Sequence, residues 1–174
     1  MLLHRCLLVA ALSAVNCLAH AQTTAAAPIA VLVGKTASGA TVDLTQFKGK
    51  VVLLFFWSTD CAVCLDTLPE MRRNLNGWRG KDFVIVTVNQ DRAVADLKFY
   101  EQVLDKAAPP ISQMKLVWRH DPAHRDSFGE LPIKTPTTVV IDRRGAVFKS
   151  VTGRAAPELW DDIAELVLNC GSCQ

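Results

Sequence analysis

Two pairs of cysteines share one spacing in this 174-residue chain, Cys61-Ala62-Val63-Cys64 and Cys170-Gly171-Ser172-Cys173. Two intervening residues bring the sulfurs within bonding distance without unwinding a helix. Thiols so placed can exchange dithiol for disulfide, clamp a soft metal such as Cu(I) or zinc, or form a plain structural bridge. A bridge closing so short a loop removes little unfolded-state entropy, which makes a purely structural role weak. A zinc knuckle wants its second pair about 15 to 20 residues on, whereas the next cysteine after Cys64 is Cys170. The remaining cysteines, Cys6 and Cys17, fall in the first twenty residues.

What decides among these chemistries is the element that presents each thiol. Val51 to Trp57 is an unbroken aliphatic and aromatic run, the pattern of a strand buried on both faces. Val63, Leu68, Met71 and Leu75 then follow one helical side, with Gly77 near its end and Pro69 inside, where a kink is expected. Cys61 therefore stands where strand hands over to helix, and Cys64 lies in the first turn. Unpaired N–H groups and the helix dipole favour an anion there. The thiolate is the attacking species in exchange. Cys61, nearest the end and least covered, is expected to attack, and Cys64 to resolve the mixed disulfide.

The rest of the chain supplies a scaffold. Short strands are expected over Ile29 to Val33 and Thr41 to Leu44, a buried strand over Phe83 to Val88, and a helix carrying Val94, Leu97, Tyr100 and Leu104 that stops at Ala108-Pro109-Pro110. A strand over Lys115 to Arg119, a short helix over Pro122 to Phe128, and a hairpin of Thr137 to Ile141 with Ala146 to Val151 come next. The last helix opens with Pro157 at its first position and Glu158 in its first turn, its inner face being Leu159, Ile163, Leu166 and Val167. Strand–helix alternation closed by a hairpin implies an α/β fold, a central mixed sheet covered by helices with an N-terminal β extension. His120 and His124, split by Pro122, read as surface residues, and Asp121 and Asp126 as solvated.

Residues 1–21 read as a secretory signal, with Arg5, the apolar run Leu7 to Leu12 and a small-residue site at Ala19-His20-Ala21. Cleavage after Ala21 leaves a small polar stretch over 22–28, expected to be flexible, one domain over 29–169, and a tail over 170–174 carrying the second cysteine pair. Export to a periplasm would let disulfides persist. No window is long and apolar enough to anchor the mature chain in a membrane. Removing Arg5 lowers a formal charge that is only +2, which argues against nucleic acid as a partner.

Phe47 to Trp57, Ser58 to Cys64 and Pro69 together resemble the thioredoxin superfamily, more narrowly its TlpA/ResA-type periplasmic members. Thr135-Pro136-Thr137-Thr138-Val139-Val140-Ile141-Asp142, with Gly145 in the turn, resembles the second hallmark of that family. The likeness runs from about Ile29 to Val167. It implies a thioredoxin-like fold, a cis peptide before Pro136, the backbone of Thr135 beside Cys61 for pairing with a substrate strand, and Trp57 packed by the site. It implies thiol–disulfide exchange on exported proteins as a reductant, without cofactor or metal, recycled by a membrane electron donor of the DsbD type.

Several positions depart from the family. Asp60 stands where relatives often have Trp. A carboxylate beside Cys61 opposes the thiolate and pushes the pair toward the reducing end, and the same residue suits a helix cap. Phe55 and Thr67 occupy positions where relatives place buried acids, so the proton acceptor for Cys64 is not evident, and Asp66 is expected to face outward. Cys170 and Cys173 form a possible second redox pair, a metal clamp or an idle bridge. A copper- or zinc-binding module is the alternative function. A peroxiredoxin-like peroxidase ranks lower, because Thr59 is off the required spacing and no proline precedes it.

Overall fold

A computed structural model describes residues 27–129 and 133–168. The expected signal over 1–21 and the tail over 170–174, with Cys170 and Cys173, lie outside the described residues.

The strand that delivers Cys61 forms as its composition demands. β3, Val51–Trp57, is buried at every position. It pairs in parallel with β4, Phe83–Asn89, and antiparallel with β7, Thr137–Ile141. Neighbours on both edges and cover on both faces are what an all-apolar strand requires. Its side chains part by the two-residue period. Leu53, Phe55 and Trp57 join one core cluster, and Val52, Leu54 and Phe56 the other. Each such side chain removed from water contributes about 1.5–3 kcal/mol.

The first cluster is closed by helices. α1, Ala62–Gly77, places Leu68, Met71 and Leu75 against it, α2, Val94–Ala107, adds Leu97, and α3, Glu158–Leu168, adds Leu159, Ile163 and Val167. The second is covered without a long helix, by Leu32, Val42 and Val117 and, around them, Leu44, Phe47, Phe128 and Ile133. Leu44–Phe47 is a single 3-10 turn capped by the Asp43 carboxylate.

The eight-stranded sheet runs β2 (Thr41–Asp43), β1 (Leu32–Lys35), β5 (Met114–Trp118), β4, β3, β7 and β8 (Val147–Thr152), with β6 (Arg125–Asp126) paired to β1. β1, Leu32–Lys35, and β2, Thr41–Asp43, make the N-terminal hairpin, joined to the sheet through β5, Met114–Trp118. β7 returns as β8, Val147–Thr152, around a turn in which Gly145 takes φ 88°. Pro69 lies inside α1, which continues to Gly77. Lacking an N–H, it omits only the bond that Leu65 C=O would have accepted. Among the described residues, no helix is long and apolar enough to cross a membrane.

Two expected elements are different. The first strand lies at Leu32–Lys35 rather than over Ile29 to Val33, and Ile29 makes only an isolated bridge to Ala146. Pro122–Phe128 is not a helix. It is a turn followed by β6, Arg125–Asp126, which pairs with Leu32 and Val33 of β1. Side chains capture the backbone here: the Asp121 carboxylate accepts from Ala123 N–H and the Asp126 carboxylate from Phe128 N–H. Such local bonds compete with helical ones. The surface reading of this stretch fails with it. The His124 and Asp126 side chains are only 6% and 3% exposed, paired to each other at 2.7 Å.

Candidate active site

β3 ends at Trp57, and Ser58-Thr59-Asp60 turns the chain into α1. Cys61 is the residue that caps that helix. Its backbone is extended, with φ −89° and ψ 96°, and its sulfur accepts Cys64 N–H at 3.2 Å. Its carbonyl accepts Cys64 N–H at 2.9 Å and Leu65 N–H at 3.1 Å. The cap is thus a sulfur already receiving a backbone hydrogen bond at the positive end of a 16-residue helix. Cys61 and Cys64 are joined in a disulfide, with Cα atoms 5.2 Å apart. Cys61 is half-buried, whereas Cys64 is fully buried in the core beside Leu68 and Trp57.

Asp60 does not cap the helix, contrary to one of its two sequence readings. Its carboxylate accepts from the Ser58 hydroxyl instead. Cys61 takes the capping place because it is the last residue with extended backbone. Asp66 is exposed, as expected, within reach of Arg154. Trp57 is buried, its ring 4.7 Å from that of Tyr100, and its indole N–H has no protein partner. Burial raises the Tyr100 phenol above its ordinary value, against a smaller pull downward from Arg72.

The Thr135–Pro136 peptide is cis. Pro136 C=O accepts Gly153 N–H at 2.8 Å, and Thr137 Oγ1 donates to Lys134 C=O at 2.6 Å. Thr135 lines one cleft together with Ser58, Thr59, Asp60, Asp91 and Ile133. The turn before Cys61 and the segment before Pro136 therefore face each other across a shared opening.

Sequence reasoning missed what ties those two segments together. Asn89 ends β4 and Gln90 and Asp91 follow it, at the same sheet end as Cys61, and all three are buried. Asp91 accepts Thr59 N–H at 3.0 Å and the Asn89 amide at 2.8 Å. Gln90 N–H donates to Trp57 C=O at 2.8 Å, and its side chain bonds both backbone groups of Ile133. Arg119 anchors the far side. It donates to Gln90 Oε1 at 3.2 Å, to Gly129 C=O at 2.7 Å and to both Asp126 oxygens, and lies 5.3 Å from the Phe56 ring centroid. Burial alone would raise the Asp126 carboxyl. Hydrogen bonds from His124, Arg119 and Phe128 N–H, with the guanidinium charge, hold it down at about 2. A carboxylate so held can only accept, so His124 Nε2 carries the proton between them. The available signal was a polar triplet abutting an apolar strand at the sheet end that bears the cysteines.

Among the described residues, no group of three or more His, Cys, Asp or Glu side chains is gathered as a metal site would require.

Comparison with known proteins agrees with this geometry. The model of the AhpC/TSA family matches residues 24–150. A thiol-disulfide oxidoreductase ResA of Halalkalibacterium halodurans is 24% identical over 129 residues, covering 74% of this chain and 69% of that protein. A solved putative thiol:disulfide interchange protein DsbE from Chlorobium tepidum superposes with TM-score 0.59 at 27% identity, over 82% of this chain and 93% of that one. A putative thioredoxin from Neisseria meningitidis shares the fold, with TM-score 0.65 at 22% identity over 85% and 93% of the two chains.

Proposed function

We propose a function for a chain that belongs to the AhpC/TSA family and is a thioredoxin-superfamily oxidoreductase of the TlpA/ResA type: Cys61 and Cys64 exchange dithiol for disulfide with exported proteins, acting as a reductant. One observation carries the reading. The two sulfurs are bonded to each other at a helix start, the outer one half-buried and hydrogen-bonded by backbone, the inner one sealed in the core. In the reduced protein the Cys61 thiolate attacks one sulfur of a substrate disulfide. A mixed disulfide forms and the substrate's other sulfur leaves as thiolate. Cys64 then loses its proton and attacks Cys61, releasing the substrate's second thiolate and restoring the Cys61–Cys64 bond. Two electrons pass to the substrate, and an external dithiol must return them; a membrane donor of the DsbD type fits that need.

Asp60 supports the reducing direction, since a carboxylate next to Cys61 disfavours the thiolate and so the reduced pair. The signal reading of residues 1–21 supports export, to the periplasm in a bacterium with two membranes. Cys170 and Cys173 are proposed as a second pair that relays electrons. Thr135 and Pro136 are proposed to receive the substrate backbone, with Trp57 as packing support. Exchange is favoured over metal binding because the two sulfurs are bonded to each other at a helix start and the matching relatives are named thiol-disulfide oxidoreductases.

The test is capture. A Cys64→Ala variant expressed with its leader in a bacterial periplasm accumulates protein partners linked through Cys61, released by reductant, while Cys61→Ala captures none and loses disulfide reductase activity by at least about 10³-fold. Full reductase activity in Cys61→Ala would exclude the mechanism.

A further inference from the structure

Ile133 stands two residues before Thr135, in a segment that belongs to no strand. Its N–H and C=O are nevertheless both satisfied, and by one side chain. Gln90 Oε1 accepts Ile133 N–H at 2.8 Å, and Gln90 Nε2 donates to Ile133 C=O at 2.9 Å. The amide thus does what a neighbouring strand does, pairing both backbone groups of one residue. It can face only one way. The reverse orientation would set its NH2 against Ile133 N–H and against the Arg119 guanidinium, which donates to the same Oε1 at 3.2 Å. Gln90 is itself held from behind: its N–H bonds Trp57 C=O, in the strand that delivers Cys61, and its C=O receives His120 at 3.2 Å. The next residue, Asp91, grips Thr59 N–H on the other bank of the cleft.

We propose that Gln90 is a positioning residue for exchange with polypeptides: its side chain fixes the Ile133–Thr135 backbone relative to the turn carrying Cys61, so that a protein substrate meets a preformed edge. The inference rests on the proposed exchange through Cys61 and adds to it. Buried amides with three satisfied bonds hold a segment in one place, and prepaid order of that kind lowers the cost of docking. A small disulfide needs only the sulfur, not the edge.

The experiment uses pre-reduced full-length protein in single turnover, with insulin as the polypeptide disulfide and hydroxyethyl disulfide as the small one. Gln90→Met keeps the volume and loses all three bonds. The half-saturating insulin concentration is expected to rise about tenfold, the fold-change of roughly one lost net hydrogen bond to the docking edge. The maximal insulin rate and the small-disulfide rate stay within about twofold. Gln90→Glu keeps the acceptor for Ile133 N–H and Arg119 and loses the donor, so its shift is smaller; it also stands in if Gln90→Met does not fold. Unchanged insulin saturation in either folded variant overturns the proposal, as does an equal loss with both disulfides, which marks a merely structural residue. Failure of the parent protein to react with either disulfide, or full reactivity of Cys61→Ala, overturns the exchange reading itself.

Discussion

Cys61 combines two things that a thiol nucleophile needs, a backbone N–H aimed at its sulfur and a place at the positive end of α1. Asp60 works against both. Its carboxylate sits one residue away, held by the Ser58 hydroxyl rather than spent on a cap. Asp60→Asn removes one nearby charge, an interaction of about 1 kcal/mol or less at an exposed site. Alkylation of reduced Cys61 near neutral pH is therefore expected to speed up by about two- to fivefold, and the pair to become less reducing. The checks are the pH profile of iodoacetamide labelling and equilibration against glutathione; an unchanged profile would remove Asp60 from the chemistry. The placement of Cys61 and Cys64 at the start of α1 was legible because residue type, spacing and strand-to-helix context all point one way. The fate of Asp60 was not, since its two uses need the same residue and only the side-chain rotamer separates them.

At the scale of elements, the strands read true wherever pattern and burial coincide. Val51–Trp57 is a uniformly apolar run and Phe83–Asn89 one broken only by Thr87 and Asn89, and both are buried at every position. The failure at Pro122–Phe128 has a physical cause. Asp121 and Asp126 bond nearby N–H groups, and Asp126 pairs with Arg119 seven residues earlier, so side-chain contacts decide a stretch in which apolar periodicity is weak. The two-residue β6 then lies against β1, whose Gly34 is tightly enclosed. A Cβ there would stand 2.4 Å from Val117 Cγ1 and 2.7 Å from His124 Nδ1. Gly34→Ala must push β1 away from β5 and β6, and is expected to destabilise the domain by about 1–3 kcal/mol, as overpacking does. Urea denaturation with an unchanged slope and a lower midpoint checks it; a midpoint equal to the parent's contradicts the packing of that hairpin.

Across the whole molecule, the sheet end that bears Cys61 is braced by a buried polar and ionic group running from Gln90 through Arg119 to Asp126 and His124. None of it was legible in sequence, because Gln90 is 29 residues from Arg119 and the charged members, though close in the chain, each alone look solvated. Its energetics are pH-dependent with a definite sign. Asp126 titrates at about 2 when folded, below its ordinary 3.8. A depressed carboxyl stabilises the fold above the unfolded value, and that stabilisation, about 2 kcal/mol, is lost as pH falls from about 4 to about 2. Asp126→Asn is expected to be less stable than the parent at neutral pH, with the gap narrowing over that window in urea titrations; a gap independent of pH would deny the ion pair its part. The domain as a whole thus holds one thiol out and one in. The most direct test of that arrangement is limited alkylation of the fully reduced protein, with modified cysteines mapped by peptide mass. The account predicts that a stoichiometric amount of iodoacetamide labels Cys61 about tenfold or more over Cys64. Equal labelling of the two, or preference for Cys64, would contradict it.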